Sequence, residues 1–334
     1  MNDLINNLEA TAKASKFSGV ISIFKEAEPL YHRAFGYRDV KNKIANEVNT
    51  IFGIASGTKL FTALGIGKLI EQRKVSLETK VSDIDGAFTG FIHRDATILT
   101  VLSHTSGIYD YLDEDIFEDA ENFSVAIPFY KLSTPLDYLP LFQNQPMKFL
   151  PNERFSYSNG GFVLLGMIIE IVSGRVYRDF IETEVLQPAN MTSSGFFALN
   201  DLPANTANGY LSDHTTSNIY NLPLRGAADG GMFTTSEDLQ RFWKAFFSHR
   251  ILSKDLTETF LATQYAFREP SGYGYGCGIY KKLDDRVFFI VGGDAGVGFD
   301  SRYLVEEAVV INILSNQTNG EETMREVILE GYEQ

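Results

Sequence analysis

The sequence predicts an α+β fold in which an antiparallel sheet, flanked by helices and built from both chain ends, carries an inserted and mostly helical lobe. Strand-like stretches occur near the two ends of the chain, and helical apolar periodicity dominates the middle. The chain has 334 residues, more than one hydrophobic core usually holds. We therefore expect a sheet domain formed by residues 1–80 and 216–334 and an inserted helical domain formed by residues 81–215.

Composition argues against several classes of function. The 43 acidic and 29 basic residues give a net charge of −14, which disfavours nucleic acid and anionic membrane surfaces as partners. No apolar run approaches the roughly 20 residues of a membrane span, and the N-terminus lacks the pattern of a signal peptide, so we expect a cytoplasmic protein. Cys277 is the only cysteine, and the five histidines lack metal-ligand spacing, so we expect no internal disulfide, no metal and no cofactor.

The first eighty residues alternate between helix and strand signals. Apolar residues between positions 4 and 12 fit a short amphipathic helix, and the β-branched stretch 19–24 with its partner 30–36 predicts a hairpin. A brief extended segment, 52–55, leads into a helix over 57–72 that is apolar on most of its sides. Such a helix is buried, so its first turn should lie at the edge of the core.

The middle of the chain carries helix signals of unequal strength. Residues 98–103 predict a short helix, and weak periodicity suggests another between positions 126 and 142. The strongest signal begins at Gly160 and ends at Gly174, a glycine suited to the left-handed conformation that follows a helix. Together with a further helix predicted over 178–186, these segments form the helical lobe.

The last third of the chain returns to strands. Acidic residues after Ser236 predict the start of a helix that continues to Phe246, and a shorter helix follows over 254–263. Apolar residues alternate with glycines between 273 and 279, which predicts a strand, because the strand–turn–helix context of a nucleotide-binding loop is missing. The remaining predicted elements are strands over 286–291, 299–304 and 308–314 and a final helix over 321–329.

Two residues at the start of the central helix point to nucleophilic chemistry. Ser56 and Lys59 stand three positions apart, and residues i and i+3 of a helix lie on one face with Cβ atoms roughly 5–6 Å apart. A serine hydroxyl becomes a useful nucleophile when an adjacent base takes its proton, and a lysine whose pKa is lowered by burial can be that base. The pattern alone also fits a helix-capping serine followed by a solvated lysine.

Other polar and glycine-rich stretches favour the catalytic interpretation. Tyr157-Ser158-Asn159 stands directly before the helix that begins at Gly160, about a hundred residues after Ser56. Taken singly, Tyr157 also fits a core tyrosine with a satisfied hydroxyl, and Asn159 also fits a helix cap. Two more stretches belong to the pattern, Leu102-Ser103-His104-Thr105-Ser106-Gly107-Ile108 and, late in the chain, Val291-Gly292-Gly293-Asp294-Ala295-Gly296.

This combination resembles the serine β-lactamase and penicillin-binding protein superfamily, and it is most similar to the class C β-lactamase-related branch with its esterases and D-amino-acid peptidases. The resemblance extends from about Gly19 to the last strand. It implies that Ser56 is the acylated nucleophile and that Lys59 shares its proton. It also implies that Tyr157 is a general base or proton relay and that Asn159 hydrogen-bonds the lysine and the substrate.

The resemblance further implies an oxyanion hole made of two backbone N–H groups. One belongs to Ser56, and the other lies on the strand after the third motif, at Gly293 or Asp294. Each such donor contributes roughly 3–4 kcal/mol in the transition state. The stretch around His104 resembles a structural turn of the superfamily, so we expect this histidine to be structural.

The third motif of the superfamily, usually Lys-Thr-Gly or His-x-Gly, has lost its cation here. The matching residue is Val291, or Gly292 if the alignment moves by one position, and Asp294 adds a negative charge. Arg302 or Lys281 on a neighbouring strand is the alternative source of a cation. An acid at this position repels an anionic substrate group. We therefore expect poor turnover of penicillins and of peptides with a free D-carboxylate, and better turnover of neutral esters, amides or substrates with a free amine.

The sequence therefore predicts a serine hydrolase that acts through an acyl-enzyme on small-molecule or short-peptide esters or amides, among them β-lactams or D-amino-acid peptides. The alternative is a penicillin-binding or peptide-sensing module that forms the acyl-enzyme without efficient turnover. A third hypothesis, an inactive binding protein, is disfavoured because all four candidate residues are present: Ser56, Lys59, Tyr157 and Asn159.

Overall fold

The residues that the structure describes fold around an eight-stranded antiparallel sheet. The computed structural model describes residues 2–116, 119–266, 271–274, 278–282 and 285–333. In chain order the strands are β1 (Gly19–Lys25), β2 (Glu28–Phe35), β3 (Tyr37–Asp39), β4 (Ile44–Ala45), β5 (Phe52–Gly53), β6 (Phe233–Thr234), β7 (Tyr265–Ala266), β8 (Ser271–Tyr273), β9 (Gly278–Lys282), β10 (Asp285–Asp294), β11 (Val297–Leu304) and β12 (Val309–Ser315). The sheet has the order β2-β1-β12-β11-β10-β9-β8-β7, and β3 with β4 and β5 with β6 form two small ribbons.

The two ends of the chain meet inside this sheet. Strand β1 pairs antiparallel with β12, from Gly19 opposite Ser315 to Lys25 opposite Val309. Every residue of β12 is buried, as expected for a strand in the interior of a sheet that has helices on both faces. The predicted antiparallel sheet built from both chain ends is therefore confirmed.

Helices cover both faces of the sheet. In chain order they are α1 (Asn2–Ala14), α2 (Thr58–Glu71), α3 (Ile98–Leu102), α4 (Leu139–Phe142), α5 (Asn159–Ser173), α6 (Tyr177–Ile181), α7 (Ser236–Phe247), α8 (Lys254–Leu261) and α9 (Glu322–Glu333). Helices α2 and α5 pack against each other and are buried along most of their length. A Cβ atom at Gly65 of α2 would lie 2.6 Å from Ile181 Cδ1 and 3.0 Å from Ile169 Cδ1, so a glycine is what permits this packing.

The hydrophobic core has two parts, one on each face of the sheet. Helices α1 and α9 cover the outer face, where Leu8 and Ile328 pack with Ile21 of β1. The larger cluster lies on the other face and includes Leu64 of α2 and Leu165 of α5. Because this cluster draws on both predicted domains, the division into 1–80 with 216–334 and 81–215 stays a prediction.

Two predicted elements differ from the structure. The helix suggested between positions 126 and 142 is instead two short helical turns, Phe129–Lys131 and Pro135–Tyr138, followed by α4. Proline has no backbone N–H and fixes φ, so Pro128 and Pro135 divide this stretch. The single strand predicted over 273–279 is instead the end of β8 and the start of β9, which pair antiparallel with each other. Within that stretch Tyr275, Gly276 and Cys277 lie outside the described residues.

The other predicted helices and strands are present with ends that shift by a few residues. Within the described part of the chain, no single helix has the length and hydropathy of a membrane span. The segments Asn159–Ser173 and Tyr177–Leu186 meet that test only when joined across a bend of 80°. The cytoplasmic location stays a prediction.

Candidate active site

Ser56 lies in a tight turn, Ala55–Gly57, directly before α2. Ala55 adopts a φ of 42°, a left-handed conformation that costs a residue with a side chain roughly 1–2 kcal/mol. The Thr58 hydroxyl holds the turn, because it donates to the Ala55 carbonyl at 2.7 Å and accepts from the N–H of Met232 at 3.0 Å. This strained turn places Ser56 on the wall of a cavity.

Lys59 is buried, with 1% of its surface exposed, and its ammonium group has three acceptors. Nζ donates to Ser56 Oγ at 2.9 Å, to Asn159 Oδ1 at 2.7 Å and to the backbone carbonyl of Asp229 at 2.7 Å. Burial lowers the pKa of Lys59 below its usual value, although the nearby carboxylates of Asp229 and Glu114 oppose this shift. The lysine is thus fixed beside the serine and gives up its proton more readily than a solvated lysine.

Tyr157 contacts both Ser56 and Lys59. Its hydroxyl hydrogen-bonds the Ser56 side chain, and its ring centroid is 4.8 Å from Lys59 Nζ. Burial, with the negative charge of Glu114, raises the pKa of the Tyr157 hydroxyl well above its usual value, whereas the bond to Ser56 lowers it. The hydroxyl therefore carries its proton at neutral pH and can pass one between the serine and a substrate.

Asn159 is the first residue of α5, and its side-chain amide connects the lysine to the opposite wall of the cavity. Oδ1 accepts from Lys59, while Nδ2 donates to the Leu112 carbonyl at 2.8 Å and to Glu114 Oε1 at 3.1 Å. Ser158, and not Asn159, caps the helix, since its hydroxyl accepts from the N–H of Gly161 at 2.9 Å. The structure thus brings together all four residues that the sequence singled out.

His104 lies behind Tyr157 and supports it. The two rings stack with centroids 4.6 Å apart, and His104 Nδ1 accepts the backbone N–H of Ser158 at 3.0 Å. Burial, with the charge of Lys59, lowers the pKa of His104 well below its usual value, which keeps Nδ1 free of a proton and able to accept. These contacts agree with the structural role expected from the sequence.

Asp110 is a buried carboxylate that the sequence did not reveal. It accepts hydrogen bonds from the backbone N–H groups of Asn159 and Gly160, each at 2.8 Å, and of Leu112 at 3.1 Å. Burial raises the pKa of Asp110 to about 7 in spite of these donors. Its position two residues after the stretch 102–108 was the available signal, but only the fold shows that it anchors the start of α5.

Asp229 was also missed, although its surroundings carried a signal. It lies in the glycine-rich loop 226–231, whose backbone forms part of the cavity wall. Its carbonyl accepts from Lys59, and its carboxylate Oδ2 accepts from the Tyr111 hydroxyl at 2.5 Å. Burial raises the pKa of the Asp229 carboxyl, and the charge of Lys59 partly offsets this.

Strand β10 forms the wall next to the nucleophile. A Cβ atom at Gly292 would lie 2.2 Å from the Ile54 carbonyl oxygen and 2.9 Å from the Ser56 nitrogen, so β10 can approach this closely only with a glycine there. Gly293 and Asp294, the two candidates for the second oxyanion donor, also line the cavity. Burial, with the charge of Asp229, raises the pKa of Asp294 to about 7.

The cation missing from the third motif is not restored by Arg302. Its guanidinium forms two hydrogen bonds of 2.7 Å with the carboxylate of Asp300, a neighbour on the same strand, and it packs over the ring of Phe289. Arg302 is therefore committed away from the site, and the expectation that it could replace the cation is wrong. The side chain of the other candidate, Lys281, lies outside the described residues.

The cavity in front of Ser56 has a volume of about 760 Å³. Aromatic and aliphatic side chains form much of its wall, among them Phe123, Phe129, Phe197 and Leu222. Among the described residues that line it there is no lysine or arginine, whereas five are acidic: Glu114, Asp119, Glu121, Asp229 and Asp294. Such a cavity can enclose a small acyl group or a short peptide end, and its charge is negative.

A helix-flanked antiparallel sheet with a serine, lysine, tyrosine and asparagine gathered at the starts of two buried helices defines the serine β-lactamase and penicillin-binding protein superfamily. The chain belongs to the beta-lactamase family, whose model matches residues 4–331. The superfamily expected from the sequence is therefore confirmed.

Individual relatives agree with this assignment. Penicillin-binding protein 4* of Bacillus subtilis (strain 168) is 32% identical over 80% of this chain, and this chain spans 61% of that protein's length. A penicillin binding protein from Bacillus halodurans has a TM-score of 0.91 at 38% identity, with 97% of this chain and 99% of that chain covered. The D-amino acid amidase of Ochrobactrum anthropi SV3 shares the fold, with a TM-score of 0.82 at 21% identity over 99% of this chain and 98% of that chain.

Proposed function

We propose that this protein is a serine hydrolase that forms an acyl-enzyme at Ser56. The observation that carries the proposal is the contact of 2.9 Å between Lys59 Nζ and Ser56 Oγ, made by a buried lysine whose pKa is lowered. A serine needs a base within hydrogen-bonding distance, and a lysine acts as one when its environment favours the neutral form. A serine that only caps a helix would require neither the burial of Lys59 nor its contact with Ser56 Oγ.

The reaction proceeds in two halves on this geometry. Ser56 Oγ attacks the substrate carbonyl and gives its proton to Lys59, and the tetrahedral oxyanion lies between the N–H of Ser56 and that of Gly293 or Asp294. Tyr157 passes a proton to the leaving alcohol or amine, so that the acyl group remains on Oγ. Water then attacks the acyl carbonyl, its proton passes to the same bases, and the acid leaves as Oγ regains a proton.

The substrates of this proposal are small esters or amides or the ends of short peptides. The size and apolar walls of the cavity support a compact acyl group, and the relatives are named as penicillin-binding proteins and a D-amino acid amidase. The absence of lysine and arginine from the described lining residues supports low activity on substrates with a carboxylate next to the reacting bond, penicillins included.

Release of p-nitrophenol from a short-chain ester tests the proposal. The wild type should turn over steadily, and Ser56→Ala should lower the rate at least about 10³-fold, because the nucleophile is lost. Ser212→Ala is the matched control: this serine also lines the cavity, but its hydroxyl donates to Glu121, so the rate should stay within about twofold. Equal rates in wild type and Ser56→Ala would contradict the proposal.

The same experiment separates the alternative function. A burst of one equivalent that then stops, with a stable acyl adduct on Ser56 in the intact mass, would identify a sensing module that acylates without turnover. Penicillin turnover as fast as that of the best ester would overturn the expected substrate preference while leaving the hydrolase itself in place.

A further inference from the structure

The charges around Ser56 indicate what kind of substrate the cavity accepts. Ser56 and Lys59 define where a substrate binds under the proposed function, and the acids around them determine which charge it can carry. Lys59 could bind a substrate anion only by giving up a hydrogen bond, because its ammonium group already donates to Ser56, Asn159 and Asp229. Among the described lining residues, the remaining charged groups that an anionic substrate would meet are therefore carboxylates.

Three of the five acids are committed to the protein itself. Glu121 accepts from the Ser212 N–H and hydroxyl and from the Thr318 hydroxyl. Asp119 accepts from the N–H of Glu121 and the amide of Asn122. The third is Asp229, whose carboxylate bonds Tyr111. These three carboxylates are held by bonds within the protein, which leaves Glu114, whose Oε1 accepts from Asn159 Nδ2 at 3.1 Å, and Asp294 as the candidates to meet a substrate cation.

Asp294 lies on the side of the cavity that carries the nucleophile. Residues two apart on a strand have side chains on the same face and Cα atoms about 7 Å apart. The Cβ position of Gly292 points at the Ser56 turn, so the side chain of Asp294 projects on that face, one step further along β10. Its Oδ1 accepts the adjacent N–H of Ala295 at 2.9 Å, which engages one of its two oxygens.

A cation next to the reacting carbonyl fits this arrangement. In an acyl group on Ser56, a nitrogen on the α-carbon stands three bonds from Oγ, and Asp294 is a carboxylate on the wall of the same cavity. Burial and the neighbouring acids Asp229 and Glu114 raise the pKa of Asp294 to about 7, and a bound ammonium would relieve that repulsion. The apolar residues of the wall, such as Phe123 and Leu222, can receive the remainder of the acyl group.

We propose that the cavity selects α-amino acyl esters or amides with a free ammonium group, and that the carboxylate of Asp294 is the partner of that ammonium. Asp294 is in this sense a specificity-determining residue that takes the place of the cation in the third motif. The location of the acyl group rests on the proposed function, so the test includes a binding measurement that does not depend on turnover.

Two isosteric boronic acids provide that measurement. 1-Aminoethylboronic acid and 2-propylboronic acid differ by an ammonium in place of a methyl group, and each binds when Ser56 Oγ forms a bond to boron and gives its proton to Lys59. The ammonium also makes boron more electrophilic, so the ratio of the two Kd values is compared between proteins by calorimetry. In Asp294→Asn the preference for the ammonium compound should fall at least about tenfold from the wild type, because a charge-assisted pair is lost.

Two further variants make the result specific. Asp294→Glu keeps the charge and should retain more of the preference than Asp294→Asn. Asp119→Asn removes a carboxylate from the same cavity, and its preference should stay within about twofold of the wild type. An unchanged preference in Asp294→Asn, an equal fall in Asp119→Asn, or no binding of either acid to the wild type would overturn the inference.

Turnover of the phenyl esters of alanine and of isobutyric acid separates this inference from the proposed function. Both are supported if hydrolysis of the two esters depends on Ser56 and if the kcat/KM of the alanine ester, relative to that of the isobutyrate ester, is higher in the wild type than in Asp294→Asn. Equal hydrolysis of the two esters that depends on Ser56 keeps the hydrolase and contradicts the ammonium preference. A preference in boronic acid binding without turnover of either ester contradicts the hydrolase and supports the inference.

Discussion

Lys59 shows at the scale of one residue how a buried charge becomes chemically useful. Burial alone would strongly favour the neutral amine, and three short hydrogen bonds to oxygen favour the ammonium form. The two effects oppose each other, and burial is the stronger one, because the pKa of Lys59 is lowered. The contacts that aim Nζ at Ser56 therefore also leave its proton exchangeable, which is what the proposed general base needs.

Asp110 affects the same site without touching a substrate. Its carboxylate holds the first two N–H groups of α5 and the N–H of Leu112, so it joins the loop before Glu114 to the helix that carries Asn159. A negative or polar group at a helix start is favourable because the free N–H groups and the helix dipole point at it. Asp110 is thus a positioning residue for Asn159.

Replacing Asp110 by asparagine should weaken both the fold and the site. Asparagine offers one oxygen where the carboxylate offers two, and its amide N–H groups face backbone donors. We expect Asp110→Asn to lower the free energy of unfolding by about 1–3 kcal/mol and to lower kcat several-fold as Asn159 shifts. Urea unfolding and ester kinetics on the two proteins measure these effects.

The pH dependence of that loss follows from the pKa of Asp110, which is raised in the fold to about 7. The folded state then holds a proton that the unfolded state releases above about pH 4, so this group stabilises the fold at low pH and the effect disappears as the pH rises through 7. The stability deficit of Asp110→Asn should shrink between pH 5 and pH 8. A deficit that grows over this range would contradict this description of the site.

Residue spacing together with the family resemblance singled out Ser56, Lys59, Tyr157 and Asn159, because each pair lies close in sequence at one helix start. It could not find Asp110 or Asp229, since Asn159 and Lys59, the site residues that they hold, are 49 and 170 residues away and Asp229 acts through its backbone carbonyl. Nor could it show that Arg302 is held by Asp300, because a charge two positions away along a strand is visible only once the faces of the strand are known.

At the scale of the element, the approach of β10 to the first turn of α2 is what makes the site. The Gly292 position allows no side chain, because the atoms it would meet are the backbone oxygen of Ile54 and the backbone nitrogens of Ser56 and Gly57. Backbone cannot move aside as the end of a flexible side chain can, so an added methyl group would displace the strand or the nucleophile.

Gly292→Ala should therefore lose about 1–3 kcal/mol of stability and at least tenfold in kcat/KM for the ester. Gly293→Ala is the matched comparison for stability, since the nearest atom to its Cβ would be Asn319 Oδ1 at 3.8 Å, and its melting temperature should stay close to that of the wild type. Thermal unfolding of both variants gives the comparison. Equal melting temperatures for the two would mean that β10 does not press against the Ser56 turn.

The elements that could be predicted are those whose own sequence determines them. Helices α2 and α5 are apolar on most sides, and their predicted ends lie within about two residues of the observed ones. The prediction of one helix between positions 126 and 142 differs from the structure because the apolar residues follow a helical spacing, whereas the prolines interrupt the backbone hydrogen bonds. The stretch 273–279 contributes to two paired strands, and alternating apolar residues and glycines do not distinguish one strand from two.

At the scale of the whole molecule, the sheet and the charge act together. Pairing of β1 with β12 closes the chain on itself and leaves the Ser56 cavity between the sheet and the helices. The net charge of −14 then surrounds a cavity whose described lining residues include acids and neither lysine nor arginine. A negative field that converges on a cleft raises the local concentration of cations and excludes anions.

This field predicts how salt affects the two isosteric esters. Between about 20 mM and 500 mM NaCl the Debye length falls from roughly 20 Å to about 4 Å, so attraction beyond the cavity mouth is lost. The kcat/KM for alanine phenyl ester should fall about three- to tenfold over this range at pH 6.5, where its amine is mostly protonated. The kcat/KM for the isobutyrate ester should stay within about twofold, and initial rates at low substrate concentration measure both.

Unfolding of the protein cannot explain a fall in the rate for the alanine ester, because added NaCl should make the folded protein more stable. Screening reduces the repulsion among the 43 acidic residues, so the melting temperature should rise as NaCl is added. A rate that falls for one ester while the protein becomes more stable must come from the charge of the substrate. If both esters lose rate equally, or if only the neutral ester does, the negative field does not attract the substrate, and the acids around Ser56 serve the fold alone.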